Sequence, residues 1–214
     1  MKKPQFIQAK GSPIDFLVKN VFFYYTKNTG HGAVCYQKEA LLDSERPWMQ
    51  RQYETQIMID KATFKAIKAK HKKAACKEIE AADFKDIYGV EAPYEADEYY
   101  MMTIARKAFF PDGKENRAPQ FVSVKREDLK EVGIGNGSFG HVKIRIKEQT
   151  KGQWAGTTSL YLEVAQIVDL VAYEVADTLD DFDFEDEFET DEFENDDIEM
   201  DAPTAPKNEN DDWE

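Results

Sequence analysis

The sequence predicts a mainly β domain with one main helix, followed by a disordered acidic tail. Three observations carry this: the charge changes sign along the chain, several segments alternate polar and apolar residues, and one lysine-rich stretch has a helical period. The 214 residues have a formal net charge of −14. Of 28 basic and 42 acidic residues, one (Lys207) and nineteen fall in 177–214, which leaves 27 and 23 in 1–176. The first 176 residues are therefore net +4 and the last 38 net −18. Such an asymmetry marks an acidic tail on a separate folded part.

The folded part, 1–176, is long enough for a core and rich in Phe, Tyr, Val and Ile, as a β-rich domain requires. Residues 1–15, with Lys2, Lys3, Lys10 and the turn-formers Gly11, Ser12 and Pro13, read as an arm. FLVKNVFFYYT (16–26) reads as a strand and 33–42 as a second. In QIMID (56–60), Ile57 and Ile59 share one strand face.

From 61 to 79 the period changes. Phe64, Ile67, His71, Ala75 and Ile79 are spaced by three and four, one face of a helix, with Asp60 as N-cap. Seven lysines lie between Lys61 and Lys77, among them Lys65 and Lys72. They suit either a solvated helix face or a cationic rim beside a binding groove.

EYYMMTIARKAFF (98–110) is strand-like and aromatic, PDGKENRAP (111–119) has the composition of a hairpin loop, and QFVSVKRED begins as a short strand. HVKIRIK (141–147) alternates strictly, with Val142, Ile144 and Ile146 on one face and His141, Lys143, Arg145 and Lys147 on the other. SLYLEVAQIVDLVAY (159–173) is a last strand with room for a short helical end. Five or more strands with one main helix suit a partly open barrel of the OB type, whose sheet face and loops commonly bind oligonucleotides.

Gly135, Gly137 and Gly140 satisfy G-x-G-x-x-G, yet they precede a strand, whereas a dinucleotide cradle opens a helix. No V-A-I-K, H-R-D or D-F-G follows, so the kinase reading fails too. The glycines are expected to serve a turn and a close backbone approach. His31 with Cys35 and His71 with Cys76 have spacings that zinc tolerates, but His31 lies in a glycine turn and His71 on the expected apolar helix face, so no metal or other cofactor is expected. No nucleophile motif is visible, and no enzymatic activity is expected. Two cysteines, no leader-like apolar run after MKKPQFIQAK and no membrane-length apolar stretch lead to the expectation of a cytoplasmic protein.

Non-specific single-strand binding needs cations for phosphates and flat side chains for bases. Here they interleave. Tyr99 and Tyr100 precede Arg106 and Lys107, which precede Phe109 and Phe110; Lys143, Arg145 and Lys147 precede Trp154. Tyr24, Tyr25 and Trp48 add aromatics, while Phe22, Phe23 and Phe64 suit a core better. The candidate DNA-binding residues are Lys143, Arg145, Lys147, Trp154, Arg106, Lys107, Tyr100, Phe110, Lys65 and Lys72.

The order EVGIGNGSFGHVKIRIKEQ, then KGQWAGTTSLYLEVAQIVDLVAY, then an acidic tail, resembles the C-terminal part of bacteriophage OB-fold single-stranded DNA-binding proteins. The resemblance covers roughly 131–173 and extends through the tail. It implies sequence-independent single-strand binding in phage DNA replication, recombination and repair, in the host cytoplasm. It also implies a tail that competes with DNA and recruits a replication partner such as the DNA polymerase or helicase. DEFE recurs at 186–189 and 191–194, so Phe188 and Phe193, with Asp211, Asp212 and Trp213 at the tip, are the candidate partner-binding residues. A homodimer is among the expectations. The competing reading from the tail alone is an acidic DNA mimic or chaperone-like protein that binds basic proteins.

Overall fold

The computed structural model describes residues 2–29, 33–34, 48, 51–150 and 155–172. Among the described residues, nine strands and two helices follow in the order β1 (Gln5–Gln8), β2 (Asp15–Lys27), β3 (Ala33–Val34), β4 (Arg51–Ile59), α1 (Lys61–Lys70), β5 (Lys77–Glu80), α2 (Ala81–Tyr88), β6 (Glu98–Lys107), β7 (Gln120–Ser123), β8 (Ser138–Glu148) and β9 (Thr158–Asp169). They form one sheet in the order β5-β6-β4-β2-β8-β9-β7, with β1 added to β2 and β3 to β4. Among the described residues the sheet is not closed by hydrogen bonds between its ends, which matches the expected mainly β, partly open architecture. Among the described residues, no helix is long and apolar enough to cross a membrane.

The long strand β2 organises the sheet. Its first half lies between β1 and β8, and its second half between β4 and β8. The switch falls at a bulge between Lys19 and Val21, where Asn20 has a φ of +58°. Asparagine tolerates this left-handed conformation better than most residues, and a bulge bends a strand. The inner face buries Phe16, Val18, Val21 and Phe23 from β2, Ile57 and Ile59 from β4, and Val142, Ile144 and Ile146 from β8. Phe23 is thus core, as expected. Phe64 is half-buried against the same core, and Phe22 packs from the outer face on a second cluster.

Three sequence expectations are corrected. The arm is partly strand: Gln5–Gln8 pairs with Lys19 to Phe16, and Phe6 stacks on Phe16 at 4.9 Å. The single helix over 61–79 is a helix that stops at Lys70, a turn, and strand β5. Asp60 does cap it, accepting from the Thr63 N–H at 2.6 Å, and Ile67 is buried as the period demands. At the other end His71 is extended, and its Nδ1 lies 2.8 Å from Thr158 Oγ1 on β9. Ile79 reaches the core instead as a strand residue opposite Tyr99. Finally, the last strand does not turn helical within the described residues. It runs to Asp169, and Ala172 then bridges to Ile134.

The glycine segment does what a turn and a close approach require. Gly137 has a φ of +90°, and its N–H donates to the Phe23 carbonyl. A Cβ on Gly140 would stand 2.0 Å from the Gln166 carbonyl oxygen, so β8 and β9 can meet there only with glycine.

Candidate nucleic-acid interface

Residues directly opposite in a sheet share a face, so the register assigns the outer surface. On β2 and β8 it carries Asp15 opposite Arg145, Leu17 opposite Lys143, and Lys19 opposite His141. On β9 it carries Tyr161 opposite Arg145, Val164 opposite Lys143, and Gln166 opposite His141. Further along, the same face carries Phe22 opposite Phe139 and Met58, then Tyr24, Met101 and Tyr99.

This single face has two halves. Over β4, β5, β6 and the end of β2 it is roofed by α2 and the segment after it. Phe84 and Tyr88 of α2 pack on Tyr24, Met58, Ile79, Tyr99 and Met101. Phe84 meets the Tyr24 ring edge-on at 5.5 Å and the Tyr99 ring at 4.6 Å. Burial holds the Tyr24 phenol far above its usual range and raises Tyr88 to about 12. Tyr24 and Tyr99 are therefore core residues, unavailable to bases. Tyr25 remains 42% exposed.

Over β1, β8, β9, β7 and the start of β2 the face has no roof among the described residues. A groove of about 460 Å³ runs along it, lined by Leu17, Val122, Val164, His141, Lys143 and Arg126, with Gln120 and Gln166 at its side. Lys19 stands beside His141, and Lys2 is close enough that both lysines, after burial, hold the imidazole below its usual range. The ring is fixed: His141 Nδ1 accepts from the Asn20 N–H at 3.1 Å, which puts the proton of the neutral ring on Nε2. Phe139, half-buried, packs between Phe22 at 5.1 Å and His141 at 6.3 Å and marks the boundary of the two halves. Tyr161 is half-exposed at the other end, and its hydroxyl accepts from Gln149.

The strand face expected from HVKIRIK is present, but its cations are not equivalent. Lys147 is exposed, with no ion pair among the described residues. Lys143 Nζ lies 3.0 Å from Asp15. Arg145 gives Nε and Nη2 to Asp15 at 2.8 and 3.3 Å and Nη1 to Glu163 at 3.4 Å. Glu163 is the extra residue of a β9 bulge and also takes Arg106 at 2.8 Å. Arg106 lies on the inner face with Ile104 and Met102, its side chain 13% exposed and also bonded to Asn116. It braces β6 against β9 more than it faces solvent.

The other candidates scatter. Lys107 is exposed at the end of β6, and Phe110 is 48% exposed in the loop beyond it. Tyr100 is half-buried at the start of β6, with the Lys61 ammonium 5.5 Å above its ring. Lys65 on α1 and Lys72 after it are exposed. Trp48 packs on the 111–116 loop, 3.3 Å from a Cβ built on Gly113. Trp154, the His31–Cys35 pair and the tail residues Phe188, Phe193, Asp211, Asp212 and Trp213 lie outside the described residues. Cys76 is a half-buried thiol raised by burial to about 11, and among the described residues no group of three or more His, Cys, Asp or Glu could hold a metal ion.

Sequence reasoning missed Lys19, Arg126, Phe139 and Tyr161. Lys19 had a usable signal, because Leu17 and Lys19 alternate with Phe16 and Val18.

No family model and no curated protein matches the chain. Among solved structures it is similar to the single-stranded DNA-binding protein from bacteriophage Enc34, at 16% identity and a TM-score of 0.42, over 83% of this chain and 98% of that one. The same protein in complex with ssDNA aligns at 16% identity and a TM-score of 0.43, over 79% and 99%. The single-stranded DNA-binding protein gp2.5 of bacteriophage T7 aligns at 18% identity and a TM-score of 0.37, over 74% and 96%. Each of these three structures is of a bacteriophage single-stranded DNA-binding protein.

Proposed function

We propose that the chain binds single-stranded DNA, without sequence preference, along the unroofed half of its outer sheet face. The observation that carries this reading is the groove itself. Lys19, Lys143, Lys147 and Arg126 supply cations for successive phosphates around an aliphatic floor of Leu17, Val122 and Val164. Phe139 and Tyr161 offer rings at its two ends, and stacking contributes about 1–3 kcal/mol per base. An aliphatic floor and ring faces accept any base, because every base has a flat apolar face, so the expected binding has little sequence preference. An acidic DNA mimic needs neither the cations nor the rings.

The tail 177–214, net −18 with interspersed phenylalanines, competes with DNA for this basic face. When DNA displaces it, Phe188, Phe193 and the Asp211–Asp212–Trp213 tip become available to a replication protein such as the polymerase or helicase. Two ligands competing for one site couple partner capture to DNA binding without any conformational switch. On this reading the protein works in replication, recombination and repair of phage DNA.

The test is a fluorescence titration with oligo-dT at two salt concentrations, with duplex of the same length as competitor. Binding that weakens with salt and resists duplex is expected, and removal of 177–214 should tighten it. A duplex that displaces oligo-dT as well as single strands do would overturn the reading.

A further inference from the structure

Resting on that reading of the open face, we propose that Asp15 is an affinity-limiting residue. It holds Lys143 and Arg145 in the free protein, so that a phosphate must compete with a resident carboxylate for them. Asp15 stands directly opposite Arg145 at the start of β2, its side chain 6% exposed against 34% for Lys143 and 37% for Arg145. Its two oxygens take Lys143 Nζ at 3.0 Å and Arg145 at 2.8 and 3.3 Å. The third nitrogen of Arg145 goes to Glu163, so every nitrogen of that guanidinium faces a carboxylate.

This carboxylate does not switch off. The Arg145 bond, above all, and then Lys143 hold Asp15 at about 2, against burial, so it is charged at any physiological pH. Its strand is held on both sides, the Ile14 carbonyl accepting from the Ile146 N–H and the Asp15 carbonyl from the Ala9 N–H, and the two cations hold the carboxylate itself. A phosphate that approaches Lys143 therefore meets a fixed negative charge beside it. Lys147 has no such neighbour. A half-neutralised cationic strand binds a polyanion more weakly than its sequence suggests and releases it sooner. That suits a protein that must leave single strands as they are copied.

The experiment compares Asp15→Asn with the intact chain in oligo-dT titrations across salt. The asparagine keeps the size and an acceptor for Arg145 but removes the charge. Tenfold tighter binding near 0.1 M salt is expected, with a slope of log K against log salt steeper by about 0.7, one further phosphate. Glu91→Gln removes an exposed carboxylate, paired with Lys85 in the roofed half, and should leave binding unchanged. Equal or weaker binding by a folded Asp15→Asn protein, or equal tightening by Glu91→Gln, would overturn the proposal. A second comparison needs no change at Asp15. Lys143→Gln should cost less than twofold while Lys147→Gln costs severalfold, and equal losses would count against it. An intact chain that fails to bind oligo-dT at any salt would instead sink the reading of the face itself.

Discussion

The two halves of the outer sheet face start from similar residues and end in opposite states. Both carry rings: Tyr24 and Tyr99 on one side, Phe139 and Tyr161 on the other. The first set is sealed under α2 and joins the core. The second set lies open beside cations. What separates them is the eight-residue helix that follows β5, closed by Gly89 at a φ of +69°. An aromatic on a strand thus becomes a core residue or a surface for bases according to what a distant segment lays over it. The open half then divides again. Lys19, Lys147 and Arg126 have no ion pair among the described residues, whereas Lys143 and Arg145 are held by Asp15, and Arg145 by Glu163 as well.

The largest expected effect breaks both halves at once. Gly140→Val forces a side chain into the Gln166 carbonyl and pries β8 from β9. It should cost upwards of about 3 kcal/mol or abolish folding, measured by denaturant unfolding. Next, Phe84→Ala empties the roofed half. It should cost about 3–4 kcal/mol of stability while the folded fraction binds oligo-dT as before. A binding loss matching the stability loss would merge the halves into one functional surface.

Acid separates the ion-paired residues from the rest. The folded Asp15 carboxyl, at about 2, lies below its ordinary 3.8. Its contribution is therefore present above 3.8 and is lost as pH falls from there through 2. The shift corresponds to roughly 2 kcal/mol, so Asp15→Asn should flatten the acid limb of a stability-against-pH curve. Changing Lys19, Arg126 and Lys147 together to Ala should leave stability within about 0.5 kcal/mol. It should reduce the salt slope of single-strand binding by about 2, at about 0.7 per phosphate. Changing Arg145 should instead register first as lost stability.

Much of the open half was legible because its signals are local. Strict alternation over 141–147 gives a strand with a polar face, and glycines before a strand point to a close approach that Gly140 makes. Asp60 with Thr63 and Ile67 gives a capped helix start. What was not legible depends on contacts distant in sequence. Asp15 and Arg145 lie 130 residues apart, so nothing near HVKIRIK warns that two of its cations are taken. Glu163 pairs with Arg106 only because a bulge reaims it. The helix α2 offers Phe84 and Tyr88 as its buried pair, too little periodicity to stand out, and its absence made Tyr99 look free to stack. The lysine-rich stretch misled in the opposite direction: Ile79 fits a helical spacing by number but is buried as a strand residue.

Lysine footprinting tests the central claim most directly. The intact chain is acylated with a small amine-reactive reagent, with and without saturating oligo-dT, and the modified sites are read by mass spectrometry. The account predicts strong protection of Lys19 and Lys147 and partial protection of Lys143. Lys85, at the exposed edge of the roofed half, should react equally in both samples. Protection of Lys85 with Lys19 and Lys147 left reactive would put the strand on the other half of the face and contradict the account.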